Sequence, residues 1–282
     1  MKHQTVSKCG LATLLVIAVP CALADSQVRL AVDSPTAAMA EWEVQQTGAA
    51  EQTGARILIA AGAAEMSRAP ANASRYESQT FKFNNGEIRV LNFHQATGGV
   101  LHQITTETLL YVVKGSATVG VGGEIVQLAA GDVVNLPSGA LRSVARKAED
   151  TTIVLYTVRS KPDAKAVVVR GKDTPSTPLT AGPKAGVDGA KVAVQRYVFD
   201  GNSVRVATLT GPGRTGDALP PADALIYLLS GRMEITIGDE TKVVQAGDAL
   251  CETQGVPTHW NVLEKSSFLA TNGAAMNPPV SP

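Results

Sequence analysis

The chain has 282 residues, of which 44% are hydrophobic and 18% are charged, and this composition is typical of a globular protein and not of a disordered one. Its 25 basic and 25 acidic residues cancel, and no basic run occurs, so nucleic acid is not an expected partner. The 26 glycines and 15 prolines favour many short strands joined by turns over a helical fold.

The first 24 residues have the pattern of a secretory signal peptide. Two lysines precede an apolar run at 11–19, which is too short to span a bilayer. A small-x-small site ends at Ala24, so the mature chain is predicted to begin at Asp25 and to be periplasmic or secreted. No later segment has the length and hydropathy of a membrane span.

Removal of this leader changes the charge and the cysteine content. It takes away two lysines and no acidic residue, so 23 basic residues face 25 acidic ones. Only Cys251 remains of the three cysteines, so no intramolecular disulfide can form. Because Cys251 stands in an apolar stretch, we expect it to be a buried small side chain and not a nucleophile.

Residues 25–75 form an N-terminal extension before the main pattern begins. A short helix is predicted around 37–44 and a strand at 57–60, while the alanine-rich stretch 60–73 fits neither pattern clearly.

An internal repeat organises the rest of the chain. Residues 89–143 align without a gap with residues 205–259, at a constant offset of 116. The identical positions include Gly115 with Gly231, and the pair Gly131-Asp132 with Gly247-Asp248. Because these residues fall at predicted turns, where substitution is hardest, the repeat indicates a duplicated domain.

Each repeat has the pattern of short β-strands separated by turns, which is typical of a sandwich or barrel. In the first repeat the predicted strands are 88–93, 109–113, 117–121, 124–128, 133–136 and 152–158. The predicted division of the chain is a signal peptide 1–24, an extension 25–75, a first barrel 76–160, an exposed connector 161–190 with a strand at 166–169, a second barrel 191–276 and a tail 277–282.

The repeat resembles the cupin family, whose first motif is in outline G-x5-H-x-H-x3,4-E-x6-G. His102 matches the first histidine, Glu107 the glutamate and Gly115 the closing glycine, although Glu107 lies one residue further from Gly115 than the outline has it. Ile104 replaces the second histidine.

The second cupin motif is in outline G-x5-P-x-G-x2-H-x3-N. Gly131, Pro137 and Gly139 match it, and Arg142 replaces its histidine. The resemblance covers about residues 80–276 and implies an all-β fold of two double-stranded β-helix barrels in tandem, a bicupin. It also implies a ligand site inside a barrel and homodimers through strand edges.

The second repeat keeps the glycines of the motifs but not the ligands. Ala218, Pro220 and Asp223 stand at the ligand positions of the first motif, and Thr258 stands at the last histidine position, next to His259. Since strand side chains alternate faces, a shift of one residue sends His259 outward unless a bulge restores it. Asp223 and His259 are the metal-capable residues here, and a rim or interface role for His259 with Trp260 is the simpler interpretation.

Three interpretations of the first barrel stay open. A divalent metal such as iron, manganese, zinc or nickel could be held by His102 and Glu107 with His94, but about three ligands are needed and Arg142 brings a repelling cation. A buried Arg142 could instead pair with Glu107 as a purely structural ion pair. Arg142 could also bind an anionic ligand bidentately, with His102 and Thr105 or Thr106 as further partners.

The predicted ligand-binding residues are His102, Glu107, Arg142, Thr106 and Tyr111. The leading interpretation is an exported bicupin that binds a small polar or anionic molecule without a firmly held metal. The alternatives are a metal-dependent cupin enzyme of the dioxygenase, isomerase or lyase type, and a purely structural or partner-binding protein.

Overall fold

The computed structural model describes residues 58–59, 65–68, 76–84, 86–94, 100–103, 106–121, 124–139, 141–145, 150–158 and 165–272. The predicted signal peptide, the predicted helix at 37–44 and the tail lie outside these residues. Within them the chain is all β, with one 3-10 turn at Gly171–Asp173, as the sequence predicted. No helix of this part is long and apolar enough to cross a membrane.

Four sheets form two stacked β-sandwiches in a jelly-roll-like arrangement. The strands of the first sandwich are β2 (Glu65–Arg68), β3 (Tyr76–Phe83), β4 (Gly86–Phe93), β5 (Val100–Gln103), β6 (Thr108–Lys114), β7 (Ser116–Val121), β8 (Glu124–Ala129), β9 (Val133–Leu136), β10 (Leu141–Ala145), β11 (Thr151–Thr157) and β12 (Val167–Val169). They make a seven-stranded sheet of order β12-β9-β6-β11-β4-β3-β2 and a four-stranded sheet of order β5-β10-β7-β8.

The second sandwich repeats this plan, with five strands instead of four in its smaller sheet. Its strands are β1 (Leu58–Ile59), β13 (Ser176–Pro178), β14 (Gly186–Val187), β15 (Lys191–Val198), β16 (Ser203–Thr210), β17 (Arg214–Thr215), β18 (Ala224–Ser230), β19 (Arg232–Ile237), β20 (Glu240–Gln245), β21 (Ala249–Glu252), β22 (Thr258–Val262) and β23 (Ser266–Asn272). The sheet orders are β1-β21-β18-β23-β16-β15-β13 and β14-β17-β22-β19-β20.

Strands from outside the two repeats complete the sheets. β1 comes from the N-terminal extension yet pairs with β21 of the second sandwich. The connector supplies β12 to the first sandwich and β13 and β14 to the second. The connector was predicted to have one strand, but it has three, and each lies at the edge of a sheet, where outer backbone groups need hydrogen-bond partners.

The apolar run of β6 explains how the sandwiches stack. Leu110 and Val112 point into the core of the first sandwich, while Leu109 and Tyr111 point into a core shared with the second sandwich. β18 does the same in the second repeat, with Tyr227 in the shared core and Leu228 in the second sandwich. A strand that is buried on both faces has no polar positions, and so its sequence is continuously apolar.

Candidate functional site

His102 and Arg142 lie opposite each other on neighbouring antiparallel strands. In the pairing of β5 with β10, their Cα atoms are register partners. Arg142 is also the partner of Val121 on β7, so it stands in the middle of the smaller sheet. The side chains of His102 and Arg142 and the whole of Thr105 lie outside the described part of the structure.

The second repeat has the same backbone relationship at the equivalent positions, 116 residues further on. Ala218 and Thr258 form an antiparallel bridge, with N···O distances of 2.9 Å from Ala218 N and 2.8 Å from Thr258 N. Both residues are buried. The duplication therefore preserves this register, but small residues occupy it in the second sandwich.

Glu107 is fully buried, and its side chain contacts the second repeat. Its Oε1 accepts a 3.0 Å hydrogen bond from Nδ2 of Asn202, in the turn between β15 and β16. Its face is that of Leu109 and Tyr111, which belong to the shared core. The prediction placed Glu107 inside the first barrel with His102 and Arg142 and did not include this contact with Asn202.

A slip of one residue in the motif explains the difference. The outline places the glutamate seven residues before Gly115, where this chain has Thr108. Because successive side chains alternate faces, Glu107 at the preceding position faces the other way. The Oγ1 of Thr108 donates a 2.9 Å hydrogen bond to the carbonyl of Thr106, and Thr106 itself is half-buried.

Tyr111 also faces the shared core. Its ring packs edge to face on Tyr197 of the second repeat, with 6.1 Å between the ring centroids. Burial raises the pKa of the Tyr111 hydroxyl, and the negative charge of Asp132 raises it further. Tyr111 therefore belongs to the contact between the repeats, whereas the sequence placed it in the ligand site.

His94 is exposed at the end of β4. Its Nε2 lies 3.8 Å from Oε2 of Glu77, and 59% of its side chain is accessible. Across the described residues, no three histidine, cysteine, aspartate or glutamate side chains gather as a metal site would need. His94 and Glu107 do not meet, since one faces solvent and the other faces the shared core.

In the second repeat, His259 points outward, as the shift of one residue predicted. Residues 258, 260 and 262 of β22 are buried and the two between them are half-buried. The Nδ1 of His259 lies 3.0 Å from Oδ1 of Asp217 at the surface, while Trp260 lies in the core and not at a rim. Asp223 accepts a 2.6 Å hydrogen bond from the backbone N of Gln254, so Asp223 and His259 have different partners.

The sequence did not reveal a charged cluster inside the second sandwich. Glu252, only 1% exposed, accepts hydrogen bonds from Lys184 and from Nε1 of Trp260. Glu252 ends an apolar strand, which is a signal that sequence reasoning could have used, because a lone buried carboxylate needs partners. Lys184 could not be predicted, since it reaches the carboxylate from 68 residues away.

No family model and no curated protein matches the sequence. Among solved structures, the putative glyoxylate-induced protein of Pseudomonas aeruginosa is similar, with 15% identity, coverage of 84% of this chain and 97% of that chain, and a TM-score of 0.63. The YlbA protein of E. coli has 16% identity, coverage of 80% and 94%, and a TM-score of 0.59.

A variant of the oxalate decarboxylase OxdC from Bacillus subtilis is also similar, with 13% identity, coverage of 79% of this chain and 78% of that chain, and a TM-score of 0.58. At such low sequence identity, the structural similarity indicates the fold alone and not the function. Together with the motif glycines and the duplicated strand order, it shows that this chain has the cupin fold.

Proposed function

We propose that the protein is exported and binds a small polar or anionic molecule in the first sandwich, beside His102 and Arg142. The observation that carries the proposal is the direct pairing of these two residues across β5 and β10. A shared site requires this register, and the second repeat keeps it with residues that carry no charge.

The chemistry of an arginine favours an anion at this position. A guanidinium keeps its proton under ordinary conditions, so it cannot be a metal ligand, but it matches a carboxylate or phosphate with two parallel hydrogen bonds. An anionic ligand between the two strands would place its charge against this guanidinium.

Binding of small carboxylates tests this proposal. The names of the structural neighbours refer to oxalate and glyoxylate, so these two anions and inorganic phosphate are the first probes. We expect at least one of them to bind in calorimetric titrations of the mature chain. Arg142→Ala should weaken that binding at least tenfold, because one charge-assisted contact to a carboxylate contributes about 1.5–3 kcal/mol.

A matched variant distinguishes the loss of a specific anion site from the loss of one positive charge anywhere on the protein. Arg232 is exposed at the start of β19 in the second sandwich, so Arg232→Ala removes the same charge from a sheet other than that of β5 and β10. It should leave the affinity unchanged. Equal affinity of the parent and of Arg142→Ala for every anion that binds would exclude an anion site at Arg142.

A metal-dependent enzyme that uses His102, Glu107 and His94 is the second candidate. Against it stands the separation of two of these residues, since Glu107 is buried beside Asn202 and His94 is exposed beside Glu77. Metal analysis of protein purified without chelator or affinity-tag metal tests it. About one iron, manganese, zinc or nickel per chain that is lost in His102→Ala would favour this candidate over the anion site.

Export is tested separately from binding. The leader pattern at residues 1–24 supports it. We expect the protein in the periplasmic or culture fraction with an N-terminus at Asp25. An intact N-terminus on protein in the cytoplasmic fraction would contradict export and would leave the binding proposal standing.

A further inference from the structure

A buried carboxylate faces the interior of the second sandwich. On β21, Leu250 belongs to the core of that sandwich and Cys251 to the shared core, so Glu252 points inward with Leu250. Its Oε1 accepts a 3.0 Å hydrogen bond from Nε1 of Trp260, whose ring stacks on Phe268 with 4.8 Å between centroids. The carboxylate is thus held in one orientation by a side chain that is itself fixed.

The other oxygen of Glu252 binds the ammonium group of Lys184. The Nζ to Oε2 distance is 2.5 Å, and 31% of the lysine side chain remains accessible against 1% for the glutamate. The lysine side chain therefore reaches in from the solvent side of the sandwich, and its ammonium group binds a buried carboxylate.

Lys184 belongs to residues 182–187, here called the strap, which include β14 at the edge of the five-stranded sheet. The strap is bound to β17 by backbone contacts, because Gly186 is the register partner of Thr215 and Gly216 N donates a 3.0 Å hydrogen bond to Ala185 O. The strap and the backbone at Gly216 are in close contact, since a Cβ added at Gly216 would lie 2.6 Å from the carbonyl oxygen of Pro183. Lys184 is therefore held at the carboxylate by the strap as well as by its own charge.

A second cation lies near the same carboxylate. Burial lowers the pKa of Arg205, and the negative charge of Glu252 opposes that effect. Arg205 on β16 and its register partner Arg196 on β15 belong to the same seven-stranded sheet as Glu252 on β21. An anion that took the place of Lys184 would meet the carboxylate directly, so the position itself selects a cation with hydrogen-bond donors.

We infer that Glu252 and Trp260 form a binding site for a primary ammonium group, and that the protein fills this site with its own Lys184. The side chain of Lys184 is a tethered ligand, and a free alkylamine is the class of molecule that would occupy the place of its ammonium group once that side chain is removed. This site is distinct from the proposed anion site, since it lies in the other sandwich and has the opposite charge preference.

Truncation of the lysine tests the inference by chemical rescue. Lys184→Ala removes three carbons and the amine, which is the shape of n-propylammonium. We expect n-propylammonium chloride to bind Lys184→Ala saturably in the millimolar range, roughly 1–50 mM for so small a ligand, and to raise its melting temperature. The indole N–H resonance of Trp260, assigned with Trp42→Phe, should shift along the same titration curve, and the parent protein should show neither effect.

Three comparisons make the result specific. Sodium propionate and 1-propanol share the carbon chain but lack the ammonium, and neither should shift the Trp260 resonance. Lys172→Ala removes an exposed lysine from the 3-10 turn and should gain no amine binding. Lys184→Ala combined with Glu252→Gln should lose the response to n-propylammonium, because the receptor charge is gone.

The inference is overturned if folded Lys184→Ala responds to propionate instead of the amine, or to neither of them. If Lys184→Ala does not fold alone, refolding in n-propylammonium chloride but not in sodium chloride supports the inference. Equal refolding yields in the two salts overturn it.

Discussion

The Glu107 carboxylate and the Asn202 amide, 95 positions apart in the chain, are joined by a 3.0 Å hydrogen bond across the core that the two repeats share. Glu107 immediately precedes β6 of the first sandwich, and Asn202 lies in the turn immediately before β16 of the second. Both are buried, so this polar contact holds two apolar sheets in a defined relative position.

Replacement of Asn202 by alanine should destabilise the protein. Because the variant removes a hydrogen bond from a buried carboxylate, we expect a loss of about 1.5–3 kcal/mol in the free energy of unfolding, measured by urea denaturation. Asn84→Ala is the control, since Asn84 is exposed in the equivalent turn of the first repeat. Equal stability of the two variants would mean that the contact does not contribute.

The strands of the first repeat were predictable because their signals are local. The run at 133–136 has the same bounds in the structure as in the prediction, and β6 extends the predicted run 109–113 by one residue at each end. Apolar runs that end at glycine or proline turns define such strands without knowledge of their partners.

The partners and faces of those strands were not predictable in the same way. The pairing of β1 with β21 joins segments almost two hundred residues apart, and nothing in either segment specifies the other. For Glu107, a shift of one residue in the motif changes the face on which a strand residue lies, and its contact with Asn202 was not predicted. For His259 the same rule gave the correct outward direction.

Two buried tyrosines of the shared core provide a matched pair of variants. The hydroxyl of Tyr156 donates a 3.2 Å hydrogen bond to the carbonyl of Leu269, whereas the hydroxyl of Tyr197 has no hydrogen-bond partner among the described residues. Both side chains are fully buried. Tyr156→Phe should therefore cost about 1 kcal/mol, and Tyr197→Phe should be neutral or stabilising.

Thermal or urea unfolding of the two variants checks this difference. The rings stay in place in both, so packing is the same and only the hydroxyl changes. A larger loss for Tyr197→Phe than for Tyr156→Phe would contradict the assignment of the stabilising hydrogen bond to Tyr156.

Neighbouring residues of β22 should differ sharply in their contribution to stability. Trp260→Phe removes the hydrogen bond to Glu252 and leaves space in the core of the second sandwich, so we expect a loss of about 2–4 kcal/mol. His259→Ala removes only a surface contact with Asp217, which contributes less than about 1 kcal/mol. A loss for His259→Ala as large as that for Trp260→Phe would contradict the outward orientation of His259.

Asp132 should make the stability of the protein depend on acid pH. It binds the connector to the first sandwich, with Oδ2 2.7 Å from a guanidinium nitrogen of Arg170 and Oδ1 accepting a 2.9 Å hydrogen bond from Gly171 N. Burial alone would raise the pKa of Asp132, but the hydrogen bonds from Ala129, Gly171 and Arg170 outweigh burial and lower that pKa below its ordinary value of 3.8.

The sign of the effect follows from the lowered pKa. The folded state binds the proton more weakly than the unfolded state does, so the contribution of Asp132 is fully present above pH 3.8 and is lost as the pH falls further. Asp132→Asn removes the charge at every pH. In urea denaturation, the parent should therefore exceed the variant by about 1.5–3 kcal/mol at pH 7, and the difference should shrink below pH 3.8. Asp173→Asn changes an exposed residue of the same connector, and its free energy of unfolding should equal that of the parent at every pH. If the parent and Asp132→Asn differed by the same amount at pH 7 and at pH 3, the carboxylate would not be the group that binds the connector, because its protonation would then cost nothing.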